Sequence, residues 1–116
     1  MLRRRTTELA LGIIRACRQL PATQECRIIA HQVIRSGTSV AANYRAARRA
    51  RSRREFVSKI GLVIEESDET LFWLELLVEL RAGVLPELSS LVREADELTS
   101  IFVVTRHRAR QGLKRH

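Results

Sequence analysis

The chain has 116 residues, enough to bury the core of one domain and too few for two. Hydrophobic residues make up 45% of it, but only five are Phe, Tyr or Trp, and two Pro and five Gly cannot supply the frequent turns of an all-β sandwich. Against 13 Asp and Glu stand 21 Lys and Arg, nearly all Arg, and the net charge of +8 exceeds what solubility requires; an acidic partner is expected, with nucleic acid ahead of an anionic membrane or an acidic protein.

The opening residues are basic, Arg3, Arg4 and Arg5 following Met1 and Leu2. The apolar stretch 9–14 is stopped by Arg15 and is too short for a secretory signal, and no uncharged run reaches the length of a membrane span. The cytoplasm is the expected location. The spacing of Leu9, Ile13, Ala16 and Leu20, with Cys17 beside them, predicts a first helix over 6–20, ended by Pro21. Cys17 and Cys26 share no paired motif and are read as reduced, packing thiols, with a disulfide or redox role as the alternative.

A second helix is predicted to start at 22–24, with Thr23 as its N-cap; Cys26 stands where a capping box would have Glu or Gln. Ile29, Val33, Val40 and Tyr44 mark its apolar face. Within it, residues 36–42 are nearly all small, and Gly37 alone costs about 1 kcal/mol relative to Ala in a helix interior. Close approach of another helix would compensate; a kink is the competing explanation. Asn43, next to the apolar face, is read as a structural amide that hydrogen-bonds a facing helix or loop.

The periodicity breaks at 48–53, where Ser52 is placed as N-cap and Glu55 as the capping-box partner of a third helix over 53–81. One face of that helix carries Phe56, Ile60, Val63, Ser67, Leu71, Leu74 and Leu77 or Val78, opposite a polar stripe of Glu65, Asp68, Glu75 and Glu79. Residues 71–80 are apolar almost all round, more than one side of a bundle covers, so Phe72, Trp73, Leu76 and Leu80 are expected at an interface between copies of the chain. Gly83 is placed as a left-handed helix cap and Pro86 as the first residue of a fourth helix, with Leu88, Leu91, Ala95, Leu98 and Phe102 inward. The expected fold is all-α, an antiparallel up-down-up-down four-helix bundle over 1–105, followed by a frayed basic tail, 106–116, with Arg106, Arg108, Arg110, Lys114 and Arg115.

Arg45, Arg48, Arg49, Arg51, Arg53, Arg54 and Lys59 put seven cations into fifteen residues that contain a single acid, Glu55. Clustered arginines reach successive phosphates with little sequence preference. The same charges could instead form a solvated face paired with acids of the third helix. Glu65, Glu66, Asp68 and Glu69 are read as a solvated acidic face rather than a metal site, because Glu-x-x-His is absent and His31, His107 and His116 are scattered. Trp73 could stack on a base but lies among acids, which favours packing. No Gly-rich phosphate loop or nucleophile elbow is present, and neither an enzyme nor a cofactor is expected.

Three segments together carry a family resemblance: Ser36, Gly37, Thr38, Ser39, Val40, Ala41, Ala42, Asn43, Tyr44 and Arg45; Ser52, Glu55, Phe56, Lys59 and Ile60; and Glu65, Glu66, Glu69, Thr70, Trp73, Leu74 and Glu75. The chain resembles, over roughly residues 6–105, the bacterial four-helix-bundle proteins encoded in intervening sequences of 23S rRNA genes. That resemblance implies a homopentamer, related to the basic accessory protein of diversity-generating retroelements, which binds RNA and a reverse transcriptase. Many relatives carry Glu where this chain has Ala46, so no role of that carboxylate transfers. The expected function is therefore non-catalytic nucleic-acid binding, with RNA favoured, by an oligomer with an Arg-rich surface; the alternative is a scaffold or accessory subunit that docks an acidic protein.

Overall fold

Four stretches whose apolar residues recur every three or four positions fold as helices: α1 (Leu2–Cys17), α2 (Gln24–Arg48), α3 (Arg53–Glu79) and α4 (Leu85–Lys114). The computed structural model describes residues 1–82 and 85–114, and no strand occurs among them. Each helix packs against its neighbour in sequence, and α4 packs back on α1, closing an antiparallel four-helix bundle about 53 × 22 × 19 Å across its Cα atoms. Leu9, Ile13, Val33, Val40, Ile60, Val63, Leu74, Leu77, Leu88, Leu98 and Phe102 fill the centre and are essentially sealed from solvent.

Local chemistry accounts for the inner helix starts. Thr23 accepts a hydrogen bond from the Cys26 N–H (3.2 Å) and Ser52 one from the Glu55 N–H (3.0 Å). The Glu55 carboxylate reaches one residue beyond a capping box, accepting from the Arg51 N–H at 3.4 Å. α1 differs from the expected 6–20. It begins at Leu2 because the arginines are good helix formers and Leu2 and Thr6 turn inward. It stops at Cys17, where the Gln19 and Leu20 N–H groups bond back three residues, to Ala16 and Cys17, ahead of Pro21, whose ring disfavours helix in the residue before it.

α3 ends at Glu79 in a Schellman motif: the Arg81 N–H bonds the Val78 carbonyl (3.0 Å) and the Ala82 N–H that of Leu77 (3.1 Å). The left-handed residue is Arg81, with φ of 52°, while Gly83 lies outside the described residues. A side chain in that conformation costs about 1 kcal/mol, so Arg81→Gly is expected to raise unfolding stability by about 0.5–1 kcal/mol in urea denaturation. Pro86 falls in the first turn of α4, where its missing N–H has no helical partner to lose.

Small residues set how closely the helices pack. A Cβ added at Gly37 would lie 2.6 Å from Ile13 Cδ1, so close approach of α1 explains the glycine. Ser36 of α2 hydrogen-bonds Thr70 of α3 at 2.9 Å, and Ser67 of α3 bonds Thr99 of α4 at 2.5 Å. These hydroxyl pairs fix the helix registers within the core. They also explain why Thr70, not Leu71, lies on the buried face: the threonine meets a serine across α2, and Leu71 is half-buried at the margin. Leu91, Tyr44 and Phe56 are likewise packed at the margin rather than sealed.

Asn43 bonds within its own helix, donating to the Ser39 carbonyl (3.0 Å) and hydroxyl (2.8 Å), and does not bridge to a facing element as expected; it is half-buried, one turn above a residue small enough to accept it. Cys17 and Cys26 are free thiols, and burial pushes Cys17 up to about 11, so it remains protonated at neutral pH.

Candidate nucleic-acid interface

In an antiparallel bundle the start of α1, the end of α2, the start of α3 and the end of α4 meet at one end. Those segments carry fourteen of the chain's 21 Lys and Arg: three within 1–7, seven within 44–59 and four within 102–114. The same segments contain one acid, Glu55, whose carboxylate is engaged at the Arg51 N–H.

The expected cluster comes together there. Arg45, Arg48, Arg49, Arg51, Arg53 and Arg54 are exposed and Lys59 is half-buried. Among the described residues, none of the seven has a carboxylate within ion-pair distance. The acids of α3 that could have neutralised them are turned elsewhere: Glu66 and Glu69 pair with Arg35, and Glu69 also accepts from Trp73 Nε1 at 3.1 Å. Glu65 and Asp68 face solvent, and no group of three potential metal ligands occurs among the described residues.

α4 continues as helix through Arg106, Arg108, Arg110 and Lys114, with Ala109 buried, where fraying was expected. The reason is contact with α3. The Arg53 guanidinium lies against Gly112, where a side chain would displace it. The start of α1 adds what the sequence reading missed. Arg3 and Arg48 line both of two adjoining hollows between α1 and α2, of ≈ 630 and ≈ 620 Å³. Thr7 and Tyr44 also line both; Arg4 belongs to the first, Arg45 and Arg49 to the second. A third hollow, between α2 and α3, is lined by Arg45, Arg49, Arg51 and Lys59.

Arg5 is not available in the same way. Glu94 holds it through two hydrogen bonds of 2.7 and 3.0 Å, with Glu97 at 3.2 Å, and these carboxylates, Glu94 first, raise its already high pKa. Arg4 is paired with Glu8 of the next turn at 3.1 Å, and Arg3 and Arg4 both sit against local electrostatics. Met1 caps the helix without a side-chain hydrogen bond and the first turn holds no acid, so Arg3 and Arg4 add positive charge to the positive end of a helix dipole. Each such placement costs about 0.3–1 kcal/mol, and violations of local preference of this kind concentrate at functional sites. A first turn holding three arginines and no acid was the available signal.

The chain matches the model of the 23S rRNA-intervening sequence proteins over residues 2–103. It belongs to that family. Arg3, Arg4 and the whole 45–59 cluster fall inside the matched segment, whereas Arg106 to Lys114 lie beyond it. Among solved structures, the chain is similar to a crystal structure of a protein of unknown function from the S23 ribosomal protein family of Bacteroides thetaiotaomicron, at 28% identity and a TM-score of 0.82, covering 91% of this chain and 98% of that one. No curated protein matches the chain.

The residues expected at a subunit interface lie away from the basic groove. Phe72 and Leu80 are 52% and 53% exposed, whereas Trp73 and Leu76 are half-buried, and Trp73 meets the Phe72 ring edge-on at 4.9 Å between centroids. The α2–α3 register set by Ser36 and Thr70 places Ile28, 54% exposed, at the level of Leu76 and Leu80. No helix among the described residues is long and apolar enough to cross a membrane.

Proposed function

We propose that this member of the 23S rRNA-intervening sequence protein family is a non-catalytic, cytoplasmic nucleic-acid-binding protein, with RNA as its preferred ligand, that works as a homo-oligomer. The observation that carries the reading is the crowding at one end of the bundle of arginines from the end of α2 and the start of α3 that have no carboxylate partner among the described residues, next to Arg3 in a first turn of α1 without acids. Such a surface holds phosphates by charge and counterion release, with affinity that falls steeply as salt rises. The self-association part rests on Ile28, Phe72 and Leu80, large side chains left on one flank of the hairpin formed by α2 and α3. Five subunits follow from the family resemblance alone.

A filter-binding titration of the wild-type protein against a structured RNA at several salt concentrations tests the first part. Several phosphate contacts are expected to give a log–log slope of about −0.7 per contact on single strands; no measurable binding at low salt overturns the reading. Light scattering reports the subunit number, and a monomer at micromolar concentration overturns the second part. An acidic protein could meet the same arginines; capture that survives nuclease treatment would favour that partner.

A further inference from the structure

We propose that Tyr44 is a stacking platform for an unpaired nucleobase, so that the groove between α1 and α2 accepts single-stranded RNA in preference to a duplex. The inference rests on the nucleic-acid reading above and narrows it. Tyr44 stands near the end of α2, and its ring meets Phe102 of α4 at 5.8 Å between centroids and 35° between planes. Phe102 is fully buried and fixes the tyrosine from behind. Tyr44 itself is only half-buried and lines both hollows of the groove.

Phe102 is sealed within the core, whereas Tyr44 keeps part of its ring at the surface. This ring contributes to a groove whose walls are Arg3 and Arg4, the latter paired with Glu8, on one side and Arg45, Arg48 and Arg49 on the other. An aromatic side chain flanked by cations on opposite walls is the arrangement by which single strands are held: phosphates track the charges while a base leaves its stack to lie on the ring. Every base has a π-face, so the contact tolerates any sequence. A duplex offers the phosphates but keeps its bases stacked. Trp73, the residue the sequence offered for this role, is occupied by Glu69 and Phe72 beside the α3 acids.

The test compares wild type, Tyr44→Leu and Tyr44→Phe on a single-stranded RNA 12-mer and on the same sequence as a blunt duplex. Tyr44→Leu is expected to weaken single-strand binding about tenfold, within the range for loss of one stacked base, with an unchanged salt slope and unchanged duplex affinity; Tyr44→Phe is expected to bind as wild type. Because the ring also packs on Phe102, an independent readout uses unaltered protein: photocrosslinking of a 4-thiouridine-substituted strand should map to Tyr44. Equal single-strand affinity in a folded Tyr44→Leu protein, or crosslinks confined to other residues, overturns the platform while leaving RNA binding in place. Failure of the wild type to bind either RNA overturns both.

Discussion

Replacing Arg45, Arg48 and Arg49 together by Ala is expected to weaken RNA binding about 100-fold at 0.1 M salt and to make the log–log salt dependence shallower by about 2. The size follows from counterion release. Each phosphate contact contributes about 0.7 to the slope on a single strand, and over the decade between 1 M and 0.1 M salt that is about fivefold in affinity per contact. Three contacts multiply. The arginines chosen line the groove on its α2 side and have no carboxylate partner among the described residues, so their removal leaves no acid unpaired. Stability is therefore expected to change by less than about 1 kcal/mol. Arg15, Arg18 and Arg93 are exposed outside the groove and serve as the matched control: their triple alanine variant loses the same formal charge and is expected to keep the wild-type slope. Equal losses in the two variants would mean that net charge, not the groove, attracts the RNA.

Phe102→Ala is expected to cost about 3–5 kcal/mol in urea denaturation and to lower the melting temperature by roughly 10–20 °C. Phe102 is 0% exposed, the bulkiest of the fully buried side chains among the described residues, and its ring centroid lies 5.8 Å from that of Tyr44. Truncation removes the transfer free energy of the ring and leaves a cavity that the close-packed core fills only in part. Against a total stability of about 5–15 kcal/mol for a domain of this kind, the loss is a large fraction. Phe72, at 52% exposed, has no comparable burial to lose within one chain. A Phe102→Ala protein as stable as wild type would mean that the core is not assembled around this side chain.

Much of the architecture was legible because its causes are local. Thr23 and Ser52 cap helices through N–H groups three residues away, and the spacing of Ile60, Val63, Ser67, Leu74 and Leu77 identifies the buried side of α3 without reference to its neighbours. The 45–59 arginine cluster was legible for the same reason. Leu71 was misplaced because only the partner across the interface, Ser36, makes Thr70 the better inward residue. The length of α1 was misjudged because it was drawn from the apolar spacing that begins at Leu9, whereas the arginines before it are good helix formers.

By itself, then, the order of residues determined four amphipathic helices, their inner caps and an excess of arginine in one segment, since each depends on interactions within a few positions along the chain. Tertiary structure decided which charges act together. Arg3 and Arg4 join Arg48 across one groove, while Arg5, their immediate neighbour, is bound by Glu94, 89 residues away. That division arises from the antiparallel register, which Gly37 against Ile13 and Ser36 against Thr70 set by contact, and contact between helices is not written in the periodicity of any one of them.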